Sequence, residues 1–131
     1  MLLLAVDTSG KNGSLALARV TVGENLLEIV EEVALAGGTF SAQLVPQTAA
    51  LLEKHGYGKG DLAGFAVVSG PGSFTGLRVG LAAIKAMAEI LRKPIAAVNL
   101  GRTRADHLFA LKIERPCADA LSTLVEQLAL A

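Results

Sequence analysis

The sequence feature that most constrains the fold is an apolar helical stretch, GLRVGLAAIKAMAEIL, which spans Gly76–Leu91. The charged residues in and just after this stretch, Arg78, Lys85, Glu89 and Arg92, are spaced seven, four and three residues apart, so they form one narrow stripe on a helix. A helix that lies on a sheet needs an apolar face of only about 100°. The pattern therefore predicts that this helix is covered on two sides, either by the sheet and a neighbouring helix or by the sheet and another protein.

Upstream of this helix the sequence predicts three strands, over Leu2–Val6, Leu15–Val22 and Leu26–Leu35. Asn12-Gly13 lies between the first two, and both residue types tolerate the positive φ angles of a tight hairpin. In the third strand apolar residues alternate with glutamates, which is typical of a half-exposed strand. The three strands are therefore predicted to form an antiparallel meander.

The remaining pattern alternates helices and strands. A helix is predicted from Ser41, as its N-cap, to His55, and a strand over Gly64–Gly70 precedes the apolar helix. A fifth strand, Pro94–Leu100, follows it, and Cys117–Ala131 has the pattern of an amphipathic helix. The order βββ-α-β-α-β-α predicts an α/β protein with a mixed five-stranded sheet, in the manner of a single ribonuclease-H-like or actin-like (ASKHA) lobe over residues 1–131.

Length and charge limit the classes of function. The 131 residues suffice for one domain, and 12 Lys and Arg residues balance 12 Asp and Glu residues. A chain with no dense basic run is not expected to bind nucleic acid on its own. The start MLLLAVDTSG lacks the basic region of a signal peptide, and no apolar run reaches the length of a membrane span, so a cytoplasmic location is expected.

The loop GPGSFTGLRVG, from Gly70 to Gly80, has two interpretations. Glycine-rich turns at the start of a helix expose N–H groups that can bind phosphate. However, Leu77 stands where a P-loop has lysine, and the glycine spacing also misses the dinucleotide-binding pattern. The alternative is a tight turn in which Thr75 caps the helix.

A second weak phosphate signal is the short run Asp7-Thr8-Ser9 after the first strand. It resembles the phosphate hairpin of actin-like ATPases, although an aspartate that opens a turn is equally often structural. With Gly72 and Ser73 of the glycine loop, these three residues form the candidate phosphate or nucleotide site.

No catalytic constellation can be argued from the sequence. His55 and His107 lie far apart, so a histidine-based metal site is not expected. Cys117 is the single cysteine, which excludes an internal disulfide and a thiolate-rich metal site. Ser69 does not lie in a G-x-S-x-G elbow.

Three segments resemble the amino-terminal lobe of the TsaB family, also called YeaZ or glycoprotease-like proteins: LLAVDTSG, SAQLVPQTAALLEKHGY and VVSGPGSFTGLRVGLAAIKAMAEILRKPIAAVNL. The resemblance implies an actin-like fold and a role in making threonylcarbamoyladenosine on tRNA. It further implies a subunit without its own active site, which pairs through helices of this lobe with the catalytic subunit TsaD. The ATPase TsaE would join that assembly, ATP or ADP could be held at a subunit interface, and tRNA would be met only indirectly.

The sequence departs from the family pattern in two places. Phe40-Ser41 stands where the family commonly has His-Ser. The family also continues after Leu100 into a second lobe and returns with a helix that packs on the first. We interpret residues 101–116 as a loop that bridges the missing lobe, and residues 117–131 as the returning helix on the same lobe.

Two apolar helices supply the predicted partner interface, and a homodimer is expected when the partner is absent. An actin-like phosphotransferase fragment that binds ATP is a competing hypothesis, and a metal-dependent peptidase is a third. The predicted interface residues are Leu44, Val45, Leu51, Leu77, Gly80, Leu81, Ala83, Ile84 and Met87.

Overall fold

A computed structural model describes residues 1–21, 23, 26–70, 72–99 and 111–113. Six strands and two α-helices are formed by these residues, together with a short 3-10 turn at Lys59–Asp61. The strands are β1 (Leu2–Asp7), β2 (Gly13–Thr21), β3 (Leu26–Leu35), β4 (Leu62–Gly70), β5 (Ile95–Asn99) and β6 (Leu111–Ile113). The helices are α1 (Phe40–Lys54) and α2 (Phe74–Leu91).

The strands form one mixed sheet in the order β3-β2-β1-β4-β5-β6. The pairs β1–β2 and β2–β3 are antiparallel, as the predicted meander requires. From β1 onward, β4, β5 and β6 are each added in parallel to the strand before. The predicted α/β class and ribonuclease-H-like lobe are confirmed, with a sixth strand at the edge of the sheet.

Both helices pack on the same face of the sheet, which we call the first face. Alternate residues of β1, including Leu2, Leu4 and Val6, point into one apolar core with residues of α1 and α2. Helix α1 contacts β2 and β3, whereas α2 contacts β1, β4 and β5. The two helices also contact each other, so α2 is held by the sheet below and by α1 beside it.

The predicted helix starts were displaced by a few residues. Helix α1 begins after Thr39 rather than at Ser41, and the side chain of Gln43 ties its first turn to Ala36 and Thr39. Helix α2 begins after Ser73, whose Oγ accepts a hydrogen bond from the Gly76 amide, so Thr75 is not the cap. Pro46 is accommodated within the second turn of α1.

The carboxyl-terminal third of the chain differs from the prediction in one described element. Strand β6 lies within residues 101–116, which were predicted to be a bridging loop, and pairs with β5. The predicted terminal helix, residues 117–131, lies outside the described residues, as do His107 and Cys117.

Candidate partner interface and the neighbouring cleft

The glycines of the loop and helix α2 allow the chain to pack closely against the end of β1. A Cβ atom on Gly72 would lie 2.6 Å from the carbonyl oxygen of Ser9. A Cβ on Gly76 would overlap the Thr8 carbonyl oxygen, and one on Gly80 would overlap the Thr8 hydroxyl. These glycines are therefore needed for contact within the chain, which is a structural role.

Hydrogen bonds fix the same contact. The buried Thr8 hydroxyl donates to the Gly76 carbonyl oxygen at 2.6 Å, and the Ser73 amide donates to the Ser9 carbonyl oxygen at 2.7 Å. The Asp7 carboxylate accepts bonds from the Ser9 amide at 2.9 Å and the Ser9 hydroxyl at 2.5 Å. The candidate phosphate residues Asp7, Thr8 and Ser9 thus hold a turn together through bonds to one another and to α2.

A cleft of about 550 Å³ lies beside this contact, where both helices begin. Of the five candidate phosphate residues, only Ser73 lines it. Lys11 and Phe40 are among the residues that line it, and Phe40 stands where the family commonly has histidine. The lining residues are Gly10, Lys11, Gly38, Phe40, Ser41, Ser73, Thr75, Gly76 and Val79.

Helix α2 presents an apolar face to solvent, on the side opposite the core. Its inward line is spaced four residues apart and is buried: Gly76, Gly80, Ile84 and Ala88. The outward line is offset by two residues, which on a helix is about 200°. It consists of Phe74, Arg78, Ala82, Ala86 and Ile90, all exposed, with Phe74 at 74% and Ile90 at 80%. We call these five residues the outward face of α2.

The side of α2 that carries the outward face also carries two charges, on Arg78 and on the exposed Glu89, three residues after Ala86. The Arg78 guanidinium lies over the Phe74 ring at 5.3 Å from the ring centroid, within the range of a cation–π contact. Between this pair and Ile90, the small side chains of Ala82 and Ala86 leave the helix backbone accessible. Small residues between large apolar ones allow another helix to approach closely.

The predicted interface residues divide into core and surface groups. The structure places Leu44, Leu51, Gly80 and Ile84 in the interior, so their assignment to an interface is corrected: they are core residues. Leu77, Leu81, Ala83 and Met87 are half-buried and flank the outward face. Val45 is 49% exposed on α1.

The far end of α1 is tied to β3 by a charge cluster. The Glu31 carboxylate contacts the Lys54 ammonium at 2.7 Å and the His55 imidazole Nε2 at 3.1 Å. The hydrogen bond from Lys54, followed by that from His55, holds the pKa of Glu31 below its ordinary value of 4.5. His55 therefore lies in a surface cluster of polar contacts between the end of α1 and β3.

Within the described residues, no three His, Cys, Asp or Glu side chains come close enough together to hold a metal ion. Nor does either described helix have the length and hydropathy required to cross a bilayer.

Comparison with known proteins gives several matches. Residues 29–125 match the family model described as TsaD: tRNA N6-adenosine threonylcarbamoyltransferase. The tRNA threonylcarbamoyladenosine biosynthesis protein TsaB of Bacillus subtilis is 34% identical over 105 residues, 80% of this chain and 44% of that protein. A shorter match, 62% identical over 32 residues, is to an NAD-dependent protein deacetylase of Bordetella pertussis, and it covers 24% of this chain and 12% of the deacetylase. A match of 32 residues is far smaller than an enzyme domain.

Solved structures give the same fold. YeaZ from Pseudomonas aeruginosa superposes with a TM-score of 0.64 at 28% identity, over 75% of this chain and 43% of that one. Thermus thermophilus RuvC has a TM-score of 0.56 at 14% identity over 99% of this chain and 95% of its own, which shows the fold alone. The chain spans less than half the length of the TsaB and YeaZ proteins that it matches. By its match to the TsaD model and these relatives, the chain belongs to the TsaB/YeaZ family.

Proposed function

We propose that this chain is a non-catalytic partner subunit in tRNA threonylcarbamoyladenosine modification, and that it pairs with a TsaD-type catalytic subunit. The observation that carries this proposal is the outward face of α2, on which the exposed Phe74 and Ile90 stand at either end of the small residues Ala82 and Ala86. Exposed aromatic and aliphatic side chains beside small residues form a surface on which a helix of another protein can pack. A TsaE-type ATPase would join the same assembly, and tRNA would be met through the partner.

The size of the outward face indicates how much more surface the partner must cover. From Phe74 to Ile90 a helix extends about 24 Å, and at a width of about 10 Å its footprint is on the order of 250 Å². A stable interface buries about 800 Å² on each partner. The interface is therefore proposed to extend to the half-buried flanks of α2 and across α1 to the exposed Val45.

In the absence of its partner, the outward face of α2 is proposed to pair with the outward face of a second copy, which gives a homodimer. Because the outward face alone is smaller than a stable interface requires, this dimer is expected to dissociate on dilution. A chain that sediments as a monomer at all micromolar concentrations would contradict the homodimer.

Co-purification with the TsaD-type subunit of the same organism, followed by sizing, tests the proposal. The complex is expected with the wild-type chain and lost with Ala86→Asp, which places a charge in the middle of the outward face. Ala34→Asp is the control, because Ala34 is exposed on β3, the opposite edge of the sheet, and should leave the complex intact. Failure of the wild-type chain to bind, or equal loss with both variants, would contradict the proposal.

A second candidate function, nucleotide binding, is supported by the cleft where α1 and α2 begin. Helix amino termini and the cation of Lys11 favour an anion there. Asp7, Thr8 and Ser9 are engaged in bonds of their own, so the ligand would meet Ser73, Thr75 and backbone groups instead. Calorimetry of the chain with Mg-ATP tests this candidate, and the absence of heat would remove it for the isolated chain.

A further inference from the structure

Two opposite charges lie on the outward side of α2, on Arg78 and Glu89, and both residues are exposed. They are eleven residues apart. On a helix this spacing separates them by about 16 Å along the axis but by only about 20° around it, so they lie on one line. Neither residue forms an ion pair with another described residue. The Phe74 ring under the Arg78 guanidinium holds that cation in place without neutralising it, so both charges are available to a second molecule.

The centre of this charge pair coincides with the centre of the small residues. Positions 78 and 89 have their midpoint at 83.5, and Ala82 and Ala86 have theirs at 84. The difference of half a residue is less than about 1 Å along a helix. Two helices approach most closely where the side chains between them are small. A helix that packs on the outward face is therefore expected to come closest midway between the two charges.

A second copy of α2 matches this arrangement when it runs antiparallel to the first. A two-fold axis through the common centre places Arg78 of each copy opposite Glu89 of the other, and Ala82 opposite Ala86. The half-buried Lys85 then comes beside Ala82 of the second copy. A parallel pair would instead bring Arg78 beside Arg78 and Glu89 beside Glu89, and like charges repel. The charges therefore favour the antiparallel direction.

We infer that Arg78 and Glu89 form two symmetric ion pairs across the homodimer, and that these pairs set the direction and the register of the two α2 helices. The inference rests on the homodimer proposed above and names the residues that align it. Ion pairs near solvent contribute little free energy each, whereas like charges placed face to face disfavour a wrong alignment. The apolar residues therefore supply most of the contact, and the two ion pairs select among the ways in which it can form.

Charge reversal tests the inference by sedimentation equilibrium of the full chain. In the antiparallel pair, Arg78→Glu and Glu89→Arg each turn two attractions into two repulsions. Each single variant is therefore expected to dimerise at least about tenfold more weakly than the wild type. The double variant Arg78→Glu/Glu89→Arg restores both attractions and should dimerise like the wild type. In a parallel pair, all four chains would keep like charges together and dimerise equally weakly.

A mixture of the two single variants provides the control for folding. The Arg78→Glu chain and the Glu89→Arg chain, mixed in equal amounts, should form a heterodimer as tight as the wild-type homodimer, because each reversed charge then meets an opposite one. Such rescue requires both variants to be folded. A mixture that stays as weak as its components, a double variant as weak as either single variant, or single variants as strong as the wild type would each overturn the inference.

The outcomes also separate this inference from the proposal on which it rests. If the wild-type chain dimerises and Ala86→Asp prevents it while charge reversal has no effect, the outward faces pair without alignment by Arg78 and Glu89, and the inference alone is wrong. If the wild-type chain is a monomer at every concentration, a second copy does not occupy the outward face, and both the homodimer and the inference are wrong.

Discussion

Gly80→Ala tests the interpretation that the glycines of α2 serve contact with β1. Glycine in a helix interior is less favourable than alanine by about 0.8–1 kcal/mol, so propensity alone predicts that this substitution stabilises the chain. In the structure the added Cβ overlaps the buried Thr8 hydroxyl. That hydroxyl is fixed by its bond to the Gly76 carbonyl and cannot move away without losing it.

The steric cost of the added methyl group opposes the gain in helix propensity. Forcing a methyl group into a packed core costs about 1–3 kcal/mol, and the overlap with the Thr8 hydroxyl places Gly80→Ala in the upper part of that range. After the gain in propensity is subtracted, the free energy of unfolding is expected to fall by about 1–2 kcal/mol. For a chain of this size, that lowers Tm by about 4–8 °C.

Urea unfolding followed by circular dichroism, at one protein concentration throughout, measures this change. Gly60→Ala is the matched control, because nothing lies within 4 Å of its added Cβ, and it should be neutral or slightly stabilising. Thr8→Ala removes the overlapping hydroxyl, and the Thr8 Cβ then lies 3.4 Å from the new methyl group, a tolerable contact. The double variant should therefore be more stable than the sum of the singles by about 1 kcal/mol or more. A Gly80→Ala chain as stable as the wild type, or additivity with Thr8→Ala, would refute the reasoning.

Two further predictions separate surface from core and test the ion cluster. Ala86→Asp should abolish self-association in sedimentation velocity, while the far-ultraviolet circular dichroism spectrum is retained. Ile84→Asp, two residues earlier and fully buried, should instead unfold the chain. An unfolded Ala86→Asp chain would show that the outward face is part of the core. Glu31→Gln should lower the urea midpoint at pH 7, because the contacts from Lys54 and His55 lower the pKa of Glu31 and so stabilise the folded state above pH 4.5. This stabilisation is lost as the pH falls through the lowered pKa, so the gap between the two urea midpoints should close in acid. A gap that is as large in acid as at pH 7 would contradict it.

The orientation of α2 shows where sequence reasoning reached its limit. The helix is apolar around most of its circumference, so periodicity alone could not distinguish the buried Ile84 from the exposed Ile90. A usable signal was present in the glycines: Gly76 and Gly80 are four residues apart and mark the line of closest approach. Positions offset by two residues, such as Ala82 and Ala86, then face outward.

The caps and the sixth strand were missed for different reasons. Ser73 rather than Thr75 caps α2 because the Ser73 amide is held by the Ser9 carbonyl, a contact between residues far apart in sequence. Strand β6 has only three residues, too few to show any alternation, and it forms by pairing with β5. The antiparallel pairing of β1 and β2 was predicted, but the Asn-Gly turn was wrong: neither Asn12 nor Gly13 has a positive φ, and Gly13 already belongs to β2. The order of strands and helices along the chain was predictable because it depends on local patterns.

The proposed function requires the outward face of α2 to bind a TsaD-type subunit. The most direct measurement is a methyl NMR titration of the labelled chain with that subunit, unlabelled. We predict that the Ala82, Ala86 and Ile90 methyl signals shift or broaden first, while that of Ala66, on the face of the sheet opposite α1 and α2, is unchanged. Perturbations centred on Ala66, or none at saturating partner, would contradict it.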